Sequence, residues 1–217
     1  MAVDKGFNKL ILGTVYKLEK RPVLRNIHFE KGNLYATDAH QALKIKNVTK
    51  DNNFELTLNP YTMIPYSIEG TPNPRYPEID SLFTKNKFKY STEITVDDLK
   101  EVLPLLKKNK GTKKKFTTVE LIFHDDKLTI NTISLEDLKK NNVGSLVLDK
   151  NILNTDNFKI TMSNDVFLNF VDGYLAYAKT QKEPLSLKLK LANATTPIIF
   201  ENEIIEFLIA PVRVGEE

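Results

Sequence analysis

The chain of 217 residues contains no cysteine. That absence excludes disulfides, zinc thiolate sites and cysteine nucleophiles together. Glycine is scarce, with 8 in the whole sequence, and no glycine-rich phosphate loop or nucleophile elbow is found among them. No apolar run reaches the ~18 residues that cross a bilayer, and the stretch from Met1 to Leu10 lacks the pattern of a secretory signal. The sequence therefore reads as a soluble, cytoplasmic protein with no membrane partner. The histidines number 3; His28, His40 and His124 offer no close-spaced ligand pair, so structural or surface roles are expected and no metal or cofactor is. Asp38 stands two residues before His40, but no serine or cysteine nucleophile lies in a recognisable setting. The pairs Asp97-Asp98 and Asp125-Asp126 fall at a helix start and a turn, where local structural use accounts for them. No enzyme is expected.

What is present is a well-supplied core and an uneven charge. Hydrophobic residues make up 41% and the formal net charge is +3, which does not by itself mark a nucleic-acid binder. Residues 1–90 carry 14 Lys and Arg against 9 Asp and Glu, whereas residues 91–217 carry 17 against 19. Within the second part, Lys107, Lys108, Lys110, Lys113, Lys114 and Lys115 crowd into nine residues around Gly111. Such a run is either a solvated loop or a sequence-independent contact to DNA phosphates.

Periodicity places a first helix over 7–18, where Phe7, Leu10, Ile11 and Leu18 share one face, and Pro22 ends it. Strands are expected at 23–30 and 33–37, joined by a tight Lys31-Gly32 turn, then at 41–48 and 54–58. Pro60, Pro65, Pro72, Pro74 and Pro77 give the following stretch the character of a linker, so a domain boundary is placed near residue 90. In the second half, Thr95 with Asp98 forms a capping pattern for a helix through Leu106, which Pro104 should kink or shorten. Strands at 117–124 and 127–133 flank Asp125-Asp126, and two more are expected near 143–148 and 158–162. Phe167, Phe170, Val171, Tyr174, Leu175 and Ala178 then mark the clearest helix, with Ser163 or Asn164 as cap. Strands at 185–191, 197–200 and 204–214 close the chain. The helix-then-hairpin theme occurs three times, which suggests an α+β protein built from one repeated unit. The tail from Phe207 to Val214 is apolar but broken by Pro211, so it is either a terminal edge strand or the rim of an apolar groove.

Several of these segments together resemble the bacterial DNA polymerase III beta subunit family, the beta sliding clamps. The run from Arg21 to Glu30, followed by Leu34-Tyr35-Ala36-Thr37-Asp38-Ala39-His40-Gln41, resembles that family's R-x-x-L strand and A-T-D-G-H-R-L hairpin. Ile68-Glu69-Gly70 with Tyr76-Pro77 resembles its L-I-E-G-x-Y/F-P-D segment. The stretch Ile160 to Asn164 with Phe167-Leu168 is similar to the start of its last helix, and Ala210-Pro211-Val212-Arg213-Val214 to its terminal M-P-M-R-L. The matches follow the family's order along nearly the whole chain.

The resemblance implies a DNA clamp fold, with helices lining a channel and antiparallel sheets outside. Residues 1–90 would be a shortened clamp-like domain and residues 91–217 a complete one. It implies a processivity factor that encircles double-stranded DNA without sequence specificity. DNA would be met by Lys17, Lys20 and Arg21 after the first helix and by the Lys107–Lys115 cluster. A groove for DNA polymerase and clamp-loader peptides would use Leu24, Thr37, Ala39, His40, Gln41 and Ala42 from the first domain. From the second it would use Thr196, Leu208, Ala210, Pro211, Val212, Arg213 and Val214. Here Ala39, Gln41 and Ala42 replace a glycine, a cation and a leucine, and both tail methionines are lost, so ligand preference should differ. Two domains per chain point to a homo-oligomer, a trimer if six domains close the ring. A nucleoid-associated protein encoded by a phage or mobile element fits this reading. The alternative is a clamp-like interaction module that binds replication peptides or a host clamp without forming a ring. Ile79-Asp80-Ser81-Leu82-Phe83 resembles a clamp-binding peptide, but its place after Tyr76-Pro77 matches an ordinary linker.

Overall fold

A computed structural model describes residues 5–67, 75–84, 87–111, 116–136, 139–153, 157–183 and 185–213. Twelve strands and four α-helices are found among them. Helix α1 spans Lys5–Thr14 and is followed by a 3-10 turn at Pro22–Arg25. Strands β1 (Ile27–Glu30), β2 (Asn33–Thr37), β3 (Gln41–Ile45) and β4 (Leu56–Leu58) come next, then the short helix α2 (Asp80–Thr84) and β5 (Tyr90–Ile94). The second half contains α3 (Val96–Lys108), β6 (Phe116–His124), β7 (Lys127–Glu136), β8 (Lys139–Asp149) and β9 (Phe158–Ser163). It ends with α4 (Asn164–Ala178), β10 (Leu187–Leu191), β11 (Ile198–Glu201) and β12 (Ile205–Ile209).

Two antiparallel sheets result. One has eight strands in the order β4-β1-β2-β3-β12-β11-β10-β5, the other four in the order β8-β7-β6-β9. The larger sheet crosses residue 90 without interruption, because β3 pairs with β12, Ala42 facing Leu208 and Leu43 facing Phe207. Alternation explains why both its faces are buried. Leu34, Ala36, Leu43, Ile198, Phe200, Phe207 and Ile209 point into the main core under the helices. Their neighbours Tyr35, Ala42, Ile199 and Leu208 point the other way, into a second cluster closed by Tyr76, Ile79 and Phe83.

Three helices lie side by side over the inner face, with α4 between α1 and α3. Helix α4 is the pivot of the core: Phe170 stacks on Phe207 at 4.2 Å and packs on Phe200 at 4.9 Å. It also packs on β6 and β9, so it joins the two sheets. Its neighbours run antiparallel to it. Gly6 and Gly173 of this layer face Thr180 and Leu10 respectively, and the Asn164 amide donates to the carbonyls of Leu106 and Asn109 at the end of α3, 3.1 Å each. Those are carbonyls that a helix end leaves without intrahelical partners.

The expected turns and caps are present. Lys31 and Gly32 have φ of 50° and 80°, and Asp125 and Asp126 have 46° and 57°, the paired positive values of a tight hairpin turn. Thr95 and Asp98 form a reciprocal capping box, and Ser163 caps α4. Six expectations need correction. The first helix ends at Thr14, because the Tyr16 amide turns to the Leu24 carbonyl (2.9 Å) and leaves Leu18 61% exposed. The strand expected from Val23 begins at Ile27, since Pro22 opens a 3-10 turn instead. The third strand stops at Ile45, before Asn47 takes a positive φ of 55°. Pro104 does not shorten α3, which continues to Lys108. The last strand ends at Ile209. Finally, Asp80–Thr84 is helical rather than open linker; Ile79 and Phe83 are buried on the sheet, and the Asp80 carboxylate takes the Lys44 ammonium (2.8 Å) and the Tyr35 hydroxyl (3.0 Å).

Candidate nucleic-acid interface and peptide groove

The antiparallel helix layer determines which cations meet. The C-terminal ends of α1 and α3 lie at the same edge of the layer, on either side of the N-terminus of α4. Lys17, Lys20 and Arg21 follow α1, while Lys107 and Lys108 end α3 and Lys110 follows it; all six are exposed. Two groups far apart in sequence thus occupy one rim. The Arg21 guanidinium sits 5.9 Å from the centre of the Tyr16 ring. At the same rim, Asp165 accepts the Gly111 amide at 3.1 Å. Lys113, Lys114 and Lys115 lie outside the described residues.

The solvent face of the layer adds cations that sequence reasoning missed. A groove of about 630 Å³ between α3 and α4 is lined by Val96, Leu103, Pro104 and Leu175, by the expected Lys107, and by Lys9, Lys100, Lys179 and Lys182. Lys9 is paired with Asp172 at 2.5 Å and Lys100 with Asp97 at 2.8 Å; Asp172 is the acidic side chain among the groove's lining residues. The helical spacing held a signal, because Lys100, Lys107 and Lys108 fall off the face of α3 that carries the buried positions Leu99, Val102 and Leu106. The lysines outside the dense run, Lys9, Lys100, Lys179 and Lys182, are spread singly over α1, α3 and the segment after α4. Among the described residues, no group of acidic or histidine side chains could hold a metal ion, and no helix is long and apolar enough to cross a membrane.

The expected groove residues come together around the β3–β12 junction. The Ala210 amide donates to the His40 carbonyl at 2.8 Å. The tail then crosses to the smaller sheet, where Pro211 bridges Met162 and the Val212 amide reaches the Thr161 carbonyl at 2.8 Å. Residues 210–212 therefore stitch the two sheets together. Leu24, Thr37, Gln41, Ala42 and Leu208 are buried. Thr196, Ala210, Pro211 and Val212 are half-buried, and Ala39, His40 and Arg213 are exposed. Val214 lies outside the described residues, as do Ile68, Glu69 and Gly70.

Local chemistry explains the buried members. The Asp38 carboxylate accepts the amides of His40 (2.8 Å) and Gln41 (2.9 Å), and the Thr37 hydroxyl donates to the Gln41 carbonyl (2.6 Å). The Gln41 side-chain amide is spent on Asp38 (2.8 Å) and the Gly13 carbonyl (3.0 Å). Gln41 thus braces the turn against α1 rather than facing a ligand. Ala42 and Leu208 lie beneath α2, so the accessible surface is its outer margin: Ala39, His40, Ala210, Pro211, Val212 and Arg213.

The architecture is that of the DNA sliding clamps. Among solved structures, a DNA polymerase sliding clamp from Bacillus subtilis superposes with a TM-score of 0.69 at 16% identity, covering 97% of this chain and 62% of that one. The DNA polymerase III beta subunit of Borrelia burgdorferi gives 0.71 at 15% identity, covering 97% and 63%. The beta sliding clamp of C. crescentus gives 0.69 at 11% identity, covering 99% and 68%. The chain therefore spans about two thirds of the length of the clamps it resembles. No family model matches the sequence, and no curated protein does.

Proposed function

We propose that this chain is a DNA sliding clamp, a non-enzymatic processivity factor whose helix layer faces duplex DNA. The observation that carries this reading is the clustering of lysines from α1, α3 and the segment just after α4 on one solvent face of a clamp fold. Phosphates are met by mobile ammonium groups without base-edge readout, which suits non-specific and salt-dependent contact. Residues 1–90 and 91–217 act as a shortened and a complete clamp-like domain. Polymerase and loader peptides dock along the margin formed by His40, Pro211 and Arg213, their apolar anchors against Ala210 and Val212. The protein works in the cytoplasm at the nucleoid.

Retention on closed circular DNA against the same DNA linearised tests the reading. Binding that survives high salt on circles and is lost on cutting is the expected result. Equal, salt-sensitive loss from both would refute encirclement. The partly exposed margin of Ala210, Pro211 and Val212 supports a second reading, a module that binds replication peptides without a ring. It predicts peptide binding with no difference between circular and linear DNA.

A further inference from the structure

The groove between α3 and α4 has a floor for which duplex DNA has no use. Val96, Lys100, Leu103, Pro104 and Lys107 line it from α3, at the spacing of one helical face. At ~1.5 Å per residue that stripe runs about 17 Å, roughly three turns. Val96 and Leu103 are half-buried and Pro104 is exposed. The facing wall of α4 supplies Leu175 and Ala176, and Ala176, half-buried, is too short to fill the space between. The trough of about 630 Å³ is therefore apolar along its middle and open to solvent. A duplex lies across such a trough rather than in it: its phosphates meet the ammonium groups at the brim, and the apolar floor stays uncovered.

The charges are placed at the two ends. The Asn164 amide holds the start of α4 against the end of α3, so the helices run antiparallel. Lys107 consequently stands at one end of the trough, and Lys179 and Lys182, just beyond α4, stand at the other. Lys9 and Lys100 are engaged by Asp172 and Asp97. Lys107, Lys179 and Lys182 have no carboxylate partner among the described residues. A purely apolar segment laid in the trough would take water from these cations and return nothing. A helix with an apolar side and acidic ends meets both demands, its anchors on the floor and its carboxylates at the brim.

We propose that this groove docks an acidic amphipathic helix of a partner protein, its apolar anchors over Leu103, Pro104 and Ala176 and its carboxylates toward Lys107, Lys179 and Lys182. The partner and duplex DNA draw on the same lysines, so docking holds the helix layer off DNA. The docking stands on the groove itself; the competition rests on the clamp reading above.

Fluorescence anisotropy with a synthetic peptide tests the docking. The probe has about twelve residues, with leucines at i, i+4 and i+7 and glutamates toward both ends. The control has the same composition in scrambled order. The wild-type chain should bind the probe about tenfold more tightly than the control, because only the probe gathers its leucines on one side. Equal affinities would reduce the contact to bulk charge and overturn the docking. Ala176→Phe fills the trough and leaves every lysine in place. It should abolish the preference while unfolding at the wild-type denaturant concentration and binding linear duplex with the wild-type salt dependence. A preference that survives in the folded variant would put the peptide elsewhere and overturn the docking as well. The wild-type comparison decides whether or not that variant folds. The probe should also displace linear duplex from the wild-type chain. Specific probe binding without displacement would leave the docking and move the duplex off the helix layer. Duplex binding with no preference for the probe would leave the clamp reading and remove the docking.

Discussion

Gly173 of α4 faces Leu10 of α1 with no room for a side chain: an added Cβ would lie 3.0 Å from the Leu10 Cα and 3.2 Å from its amide nitrogen. Backbone cannot swing aside as a side chain can. Gly173→Val should therefore force the helices apart and cost about 2–3 kcal/mol. Gly13 in the same contact is a control, since its nearest neighbour is Asn169 Cβ at 3.7 Å. Gly13→Ala should be neutral or stabilise by up to ~1 kcal/mol through helix propensity. Urea midpoints check both, and a Gly173→Val protein as stable as wild type would show that the two helices separate freely.

Ala39 has a φ of 78°, the left-handed region that an alanine occupies at a cost of ~1–2 kcal/mol. Its place is fixed by the Asp38 carboxylate, which takes the two following amides, and by Thr37, whose hydroxyl accepts the Ala39 amide at 3.1 Å. Ala39→Gly should stabilise the protein by up to ~1 kcal/mol, the relief of strain exceeding the added freedom of the unfolded chain. Chemical denaturation gives the sign, and a loss of stability would contradict the strain.

This turn also shows what the sequence could and could not reveal. The motif around Thr37-Asp38-Ala39-His40 was legible because short-range turn chemistry is written in adjacent residues, and its resemblance to the sliding clamps carried the clamp fold. The capping box at Thr95 and the cap at Ser163 were legible for the same reason. The pairing of β3 with β12 was not legible, since it joins strands far apart in sequence. The fate of Gln41 was not, since its partner Gly13 lies 28 residues away. The helical state of Asp80–Thr84 was hidden likewise: it depends on Lys44 and Tyr35 beneath it. Periodicity carried the first helix to Leu18, but a single amide, that of Tyr16, found a better-placed acceptor at Leu24. The lysines of the helix layer were only half legible, because their meeting is a property of antiparallel packing.

Asp98 caps α3 and meets Lys150 at 2.5 Å, both side chains largely buried at 14% and 12% exposure. Burial pushes its pKa up, but hydrogen bonds from Lys150 and Thr95 outweigh that and hold the carboxyl below its usual range. A depressed folded pKa stabilises the protein above the unfolded value of ~3.9 and loses that contribution as pH falls through the folded pKa. Asp98→Asn should therefore cost about 2–4 kcal/mol at pH 7, and the gap to wild type should close below about pH 4. A constant gap from pH 7 down to about pH 3 would exclude the ion pair as its source.

His28 titrates in the opposite setting. Its ring is buried, stacks on Tyr76 at 4.8 Å and shares a hydrogen bond with Thr57 at 3.0 Å. Burial lowers its pKa against the smaller upward pull of Glu55 and Glu30. The unfolded chain then binds the proton first, so stability falls as pH drops below ~6.5 through the lowered folded value. His28→Phe keeps the stack and removes the titration. The wild-type slope of unfolding free energy between about pH 6.5 and 5 should be steeper than in the variant, and equal slopes would show His28 charging freely in the fold.

Lys100, Lys107 and Lys179 line the groove between α3 and α4, and each should neutralise a phosphate if that face meets the duplex. One lost phosphate contact lowers the slope of log affinity against log salt by ~0.9. The triple alanine variant should therefore bind linear duplex with a slope shallower by about 2–3, with affinity reduced alike for every sequence. Lys100 has a local carboxylate partner in Asp97 at 2.8 Å, so its share should be the smallest of the three. Lys159 is the contrasting position, on the sheet beside Glu120 at 3.6 Å and away from the helix layer. Lys159→Ala should leave the slope unchanged. Anisotropy titrations between about 50 and 200 mM salt separate the faces. An unaltered slope in the triple variant, or an equal drop in Lys159→Ala, would move the DNA off the helix layer.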